Sequence, residues 1–170
     1  LCASRGLGDV YKRQALTFAD QVVVMHEGQI VQTGTPVDLF EKPKHTFVGY
    51  FIGSPGMNLL PCEFKGGDVM LNGKKIETHT KVKSNNFSKT EIGVRPEFIN
   101  FSSDGIPVKV LSVSNTGRHK IVDTQSQSGK IKMIAKASEN IPSGSAFLSF
   151  QREYTYAYGA VSYTHLRAHE

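Results

Sequence analysis

Apolar residues recur at two different periods in these 170 residues, and the change of period falls near Pro55. Before it, residues 15–20 read as the last turn or two of a helix leading into Val22, Val23 and Val24, an apolar run of the kind a buried strand shows. Glu27 and Gly28 supply a turn, and Ile30 and Val31 mark the returning strand of a hairpin. Thr35 followed by Pro36 predicts a helix start, because the hydroxyl can accept from a free amide and proline lacks a donor that the first turn leaves unused. Val37, Leu39 and Phe40 are expected on the inner side of that helix, which Pro43 ends. Phe47, Val48, Phe51 and Ile52 fall at helical spacing for a second short helix, with Gly53 at its C-terminal stop and Pro55 barring continuation.

Beyond Pro55 the apolar positions alternate in short runs split by turn residues, which predicts six to eight strands and a small β-barrel. Asn72-Gly73 is the favoured pair for a type I′ hairpin turn. Polar residues 78–90 predict a long loop or an edge, and Arg95-Pro96 ends the strand that follows, since proline has no amide donor. Val108 and Val110 alternate and the phase then shifts to Leu111 and Val113, which predicts a β-bulge. Ile131, Met133 and Ala135 face one way against Lys130, Lys132 and Lys136, and Ala146, Leu148 and Phe150 share a face of a later strand. The expected class is therefore mainly β, a barrel preceded by a hairpin and two short helices, with domains at 15–53 and 54–160.

The two ends stand apart. Residues 161–170 can be written in codons whose reverse complement lies wholly inside one spelling of residues 4–14. An uninterrupted match over ten codons marks two strands of one inverted DNA element, similar to the adapter of transposase-based sequencing libraries. Residues 1–14 and 161–170 are therefore expected to be library sequence rather than protein structure. Without them the formal charge falls from +5 to +3, because residues 4–14 hold Arg5, Lys12 and Arg13 against Asp9 and the tail balances Arg167 against Glu170. Such a balance, with no clustering, gives no footprint for nucleic acid. No apolar run approaches the roughly 18 residues that span a bilayer. One cysteine, Cys62, lies between the ends, so no disulfide can close there.

The residues that invite chemistry are few. Gly6 and Gly8 suggest a phosphate loop, but Tyr11 stands where a third small residue belongs and no strand precedes them. His165 and His169 have the i, i+4 spacing of a zinc pair but fall in the adapter-like tail. His26 reads as a solvated turn residue, His45, His79 and His119 as surface groups, and Cys62 as a small buried hydrophobe. Tyr154, Tyr156 and Tyr158 alternate on one expected strand face, where packing outweighs base stacking. Arg95 and Glu97, flanking Pro96, pair a guanidinium with a carboxylate at a turn that can pin two segments or meet a partner. No catalytic, cofactor-binding or metal residue is expected.

From Ala15 to about Pro61, the residues "ALTFADQVVVMHEGQIVQTGTPVDLF" and "FIGSPGMNLLP" resemble the C-terminal part of the ATP-binding subunit of ABC carbohydrate importers of the maltose and glycerol-3-phosphate type. The likeness resumes at "GVRPE", and residues up to 159 look like the OB-like regulatory domain of these subunits, often called TOBE. "NTGRHKIV" is similar to the sugar-phosphate branch. The resemblance implies a cytoplasmic subunit, peripheral on the inner face of the membrane, that forms a homodimer beneath two permease subunits. It implies ATP and Mg²⁺ in the parent, but the phosphate loop, Mg²⁺ carboxylate, signature loop and switch histidine all lie outside this chain. This fragment would then carry regulatory and dimer contacts, with Ser54, Met57, Asn58, Arg95, Pro96 and Glu97 as candidate regulatory or interface residues and a regulatory protein or small ligand as their partner. The other reading is a free-standing barrel that binds an oxyanion or nucleic acid.

Overall fold

A computed structural model describes residues 14, 16–79 and 89–160. The adapter-like ends apart from Gln14, with Gly6, Gly8, His165 and His169, and most of the polar loop lie outside the described residues. The chain divides into two compact units, Leu1–Gly53 and Ser54–Glu170.

In the first unit a helical turn at residues 16–18 precedes β1 (Val22–His26), which pairs antiparallel with β2 (Gln29–Gly34) through Glu27 and Gly28, both at positive φ. The valine run is not buried throughout. Val24 packs with Leu39, Val48 and Ile52, while Val23 and Met25 are 52% and 58% exposed. A two-stranded ribbon has one face covered by the helices and one face bare, so its side chains alternate despite an unbroken apolar sequence. Thr35 caps the Pro36–Glu41 helix, its hydroxyl accepting from the Asp38 amide at 3.1 Å. Leu39 and Phe40 face inward, but Val37 is 61% exposed because it lies two residues, about 200° of helix, from Leu39. The second helix, Thr46–Phe51, is capped by the His45 imidazole, whose Nδ1 accepts from the Phe47 amide. Buried Gln32 ties the two segments together, donating to the Lys42 carbonyl at 3.0 Å and accepting from the Lys44 amide at 2.8 Å.

The second unit is mainly β, as expected, with eleven strands among the described residues instead of six to eight. Short runs interrupted by single turns, such as β4 (Glu63–Lys65), β5 (Asp68–Leu71) and β6 (Lys74–Ile76), account for the excess. These three form one sheet, and the Asn72-Gly73 turn between β5 and β6 has both residues at positive φ, as the dipeptide predicts. A second sheet has the order β13 (Thr155–Ala160), β7 (Lys89–Val94), β3 (Asn58–Pro61). The third has the order β11 (Gly129–Lys136), β10 (His119–Ser126), β9 (Ile106–Asn115), β12 (Ser145–Phe150), β8 (Ile99–Ser102). The described strands thus make three hydrogen-bonded sheets around one core, in which Leu60, Leu71, Ile92, Ile131 and Leu148 are at most 1% exposed. The β9–β10 ladder slips by one residue opposite Leu111, the bulge that the phase shift predicts. No described helix is long and apolar enough to cross a membrane.

Candidate functional site

Five of the six candidate residues gather at one end of the β13–β7–β3 sheet. Antiparallel registers place Asn58 opposite Val94 and Val94 opposite Thr155, so the ends of three strands distant in sequence lie side by side. Met57 enters just before β3, and Arg95 leaves β7 immediately before the Pro96–Phe98 turn that holds Glu97.

Asn58 is 9% exposed and uses both ends of its amide. Its Nδ2 donates to the carbonyls of Val94 at 3.2 Å and Lys132 at 2.9 Å, and its Oδ1 accepts from the Lys132 amide at 2.8 Å. One side chain therefore ties β3 to β7 in its own sheet and to β11 in the neighbouring one.

Beside it, Gly93 leaves room for Met57 and Tyr158. A Cβ on Gly93 would stand 2.5 Å from Met57 Cε and 2.6 Å from Tyr158 Cε2, so a side chain there must displace both. Gly93→Ala is expected to lower stability by about 1–3 kcal/mol, in the range of an overpacked site. Urea denaturation measures it, and an unchanged midpoint would show that the two side chains move without cost.

Arg95 is 2% exposed. Burial pushes its guanidinium down to about 10, against the opposing pull of Glu97 and of the phenols of Tyr158 and Tyr156. It remains a cation at neutral pH. Burial raises the Tyr158 phenol well above its ordinary value, with Arg95 pulling the other way, so Tyr158 stays neutral. A buried charge held among phenols and beside an exposed carboxylate is costly to keep and marks this end of the sheet as the site most unlike ordinary packing.

Met57, Asn58, Arg95 and Pro96 are buried, so the surface of this site is formed by Glu97, while Ser54 is exposed at the start of the unit. Tyr156 and Tyr158 do share β13, but Tyr154 sits in the Arg152–Tyr154 turn, stacked on Phe98 with centroids 3.8 Å apart. The three-tyrosine strand face is therefore reduced to two. His26 is half-buried and stacks on Phe47 at 4.0 Å, so the turn histidine is packed and not simply solvated. The roles of Asn58 and Gly93 were not legible as chemistry. Asn58 was singled out only through the resemblance, and the signal for Gly93 was a small residue in an otherwise bulky strand.

No group of three or more His, Cys, Asp or Glu side chains among the described residues could hold a metal ion. Cys62 is half-buried, and burial pushes its thiol up to about 11 from 9.0. It should therefore alkylate about a hundredfold more slowly at pH 8 in the folded chain than after unfolding, since only the thiolate reacts. Equal iodoacetamide rates in the two states would contradict this.

No family model matches the chain. An uncharacterized ABC transporter ATP-binding protein, y4oS, of Sinorhizobium fredii is 38% identical over 112 residues, 61% of this chain and 29% of that protein. The sn-glycerol-3-phosphate import ATP-binding protein UgpC of Bordetella avium is 33% identical over 131 residues, 74% of this chain and 35% of that one. The protein of the same name from Vibrio cholerae is 41% identical over 86 residues, 49% and 22% of the two chains. The chain thus spans about a third or less of the length of these relatives. Among solved structures, the cytoplasmic molybdate-binding protein ModG, with molybdate bound, superposes with a TM-score of 0.48 and 12% identity, over 61% of this chain and 96% of that one.

Proposed function

We propose that this chain, homologous to the C-terminal part of ABC transporter ATP-binding proteins, is the regulatory and subunit-contact part of an importer subunit for glycerol-3-phosphate or a related polyol or carbohydrate. One observation carries the reading: the match to the Bordetella avium protein runs over 131 residues, more than the 117 of the larger unit, so it crosses from one unit into the other. A free-standing ligand-binding barrel has no need of the preceding hairpin and helices. The bare apolar face of that hairpin, with Val23, Met25 and Ile30 at least half exposed, also suits an element of a larger domain.

In this reading the parent subunit binds ATP and Mg²⁺ through residues outside the chain and works as a dimer beneath two permease subunits at the inner face of the membrane. The Arg95 cluster is a clamp: Asn58 and Arg95 fix the end of the sheet, and Glu97 presents the contact to a regulatory protein or small ligand. Such a partner shifts resting against closed subunits only by binding one better than the other. The test is recovery of the unbroken gene and transport assay of its product with its permeases in proteoliposomes. A phosphate loop and signature loop upstream of Ala15, and ATP-dependent uptake of glycerol-3-phosphate or a related polyol, are expected. Their absence would sink the reading. Calorimetry of the chain itself with MgATP is expected to give no heat, and saturable binding would overturn the assignment of the ATP site to other residues.

A further inference from the structure

Asn72 opens the turn between β5 and β6, where its positive φ of 53° suits asparagine. The turn accounts for the residue type but not for the place of its side chain. The Ser128 hydroxyl, 56 residues away in the β10–β11 turn, donates to Asn72 Oδ1 and holds the amide out of solvent. Asn72 Nδ2 is then the one buried side-chain nitrogen or oxygen among the described residues that no hydrogen bond satisfies. Folds rarely leave such a donor, because it has lost water without gaining an acceptor.

The same side chain lines a cleft. With Gln127, Ser128 and the β3–β4 segment it bounds a recess of about 640 Å³ within the second unit, in the size range of small-molecule sites. The walls are held from behind. The Cys62 amide donates to the Thr90 carbonyl at 3.1 Å and the Cys62 carbonyl accepts from the Thr90 hydroxyl, while the Ser126 hydroxyl closes the facing turn by donating to the Gly129 carbonyl at 2.9 Å. Walls fixed in this way need little ordering when a ligand enters.

The lining narrows the ligand class. Glu63 and Lys65 stand at the rim paired at 2.9 Å, so their charges cancel, and burial keeps the Cys62 thiol protonated. An oxyanion or phosphate ester therefore meets no net cation. No aromatic ring lines the recess among the described residues, so a nucleobase has nothing to stack on. Pro61 and Met70 supply C–H surface, and Asn72, Gln127 and Ser128 supply neutral donors and acceptors. An amide with one end already taken by Ser128 is best met by a group that both donates and accepts, whichever way the amide is turned. A hydroxyl does both, whereas an ionised phosphate only accepts.

We propose that this cleft binds a small neutral polyhydroxylated molecule, a polyol or a sugar, with the Asn72 amide bonded to one of its hydroxyls. The cleft shares no residue with the Arg95 cluster. Failure of the parent subunit to transport would leave polyol binding standing, and absence of polyol binding would leave the transport reading standing.

The test is titration of the nitrogen-15-labelled chain with sorbitol, glucose and sorbitol 6-phosphate, read from the side-chain amide signals of Asn72 and Gln127. Sorbitol or glucose should shift both signals saturably, with a dissociation constant on the order of 1 mM. Sorbitol 6-phosphate should bind about tenfold or more weakly than sorbitol. Asn72→Gly preserves the turn, since glycine also takes positive φ, and should weaken binding about tenfold with the backbone spectrum otherwise unchanged. Gln127→Ala, in an exposed turn, serves if Asn72→Gly fails to fold. No saturable shift with either neutral probe, binding of the phosphate ester as tight as that of sorbitol, or full affinity in both variants would overturn the proposal.

Discussion

Replacing Asn58 by alanine is expected to lower the unfolding free energy by about 3 kcal/mol or more, the largest effect of any single polar residue in the second unit. The side chain makes three hydrogen bonds, to the Val94 carbonyl, the Lys132 carbonyl and the Lys132 amide. Truncation removes all three and leaves their backbone partners in a region where Asn58 itself is only 9% exposed. The cost of an orphaned buried group exceeds the net value of the bond it lost, which is why the sum passes that of three ordinary surface bonds. Asn58→Asp should do no better, because it keeps the acceptor, loses both donations and buries a carboxylate. Urea denaturation with an unchanged m-value measures the loss. A decrease below about 1 kcal/mol would mean that water replaces the amide and that the β3–β11 tie is not structural.

Gly105→Ala is expected to cost about 3 kcal/mol or more for a different reason. A Cβ there would stand 2.2 Å from the Leu148 carbonyl oxygen and 2.9 Å from its carbon, with φ at +155°. The obstacle is the backbone of β12, which cannot turn aside as a side chain does, so β9 and β12 must separate just where Ile106 pairs with Leu148. Both of those residues are at most 1% exposed and belong to the core. Gly117→Ala is the control, since its φ is +89° but nothing lies within 4 Å of the added carbon. It should cost only the strain of the conformation, about 1 kcal/mol. Equal losses in the two variants would show that the Gly105 effect is conformational and not a collision.

The parts of the fold that could be read in advance are those fixed by neighbours in sequence. Asn72-Gly73 places two residues at positive φ, Thr35 accepts from an amide three residues on, and Ile131, Met133 and Ala135 turn inward together because a strand repeats every two residues. The bulge at Leu111 was visible for the same reason, as a slip in that period. What misled was an apolar run taken as evidence of burial. Val22 to Val24 are equally apolar, but Val22 and Val24 turn toward the cluster that the helices supply, whereas Val23 faces solvent.

At the candidate site the adjacency of Arg95, Pro96 and Glu97 at a strand end was legible because the three are neighbours in sequence, and the tyrosine stripe failed at Tyr154 because the 3₁₀ turn begins before the strand does. The depth of Arg95 was not legible, since 2% exposure depends on strands brought from residues 57–61 and 155–160. Asn58 reaches partners 36 and 74 residues away, and Gly93 is needed because Met57 and Tyr158 converge on it. Turn chemistry and periodicity act within a few residues, and the chain carried them openly. Burial, desolvation and the pairing of polar groups depend on which distant segments fill the remaining space, and the packed sheets settled those.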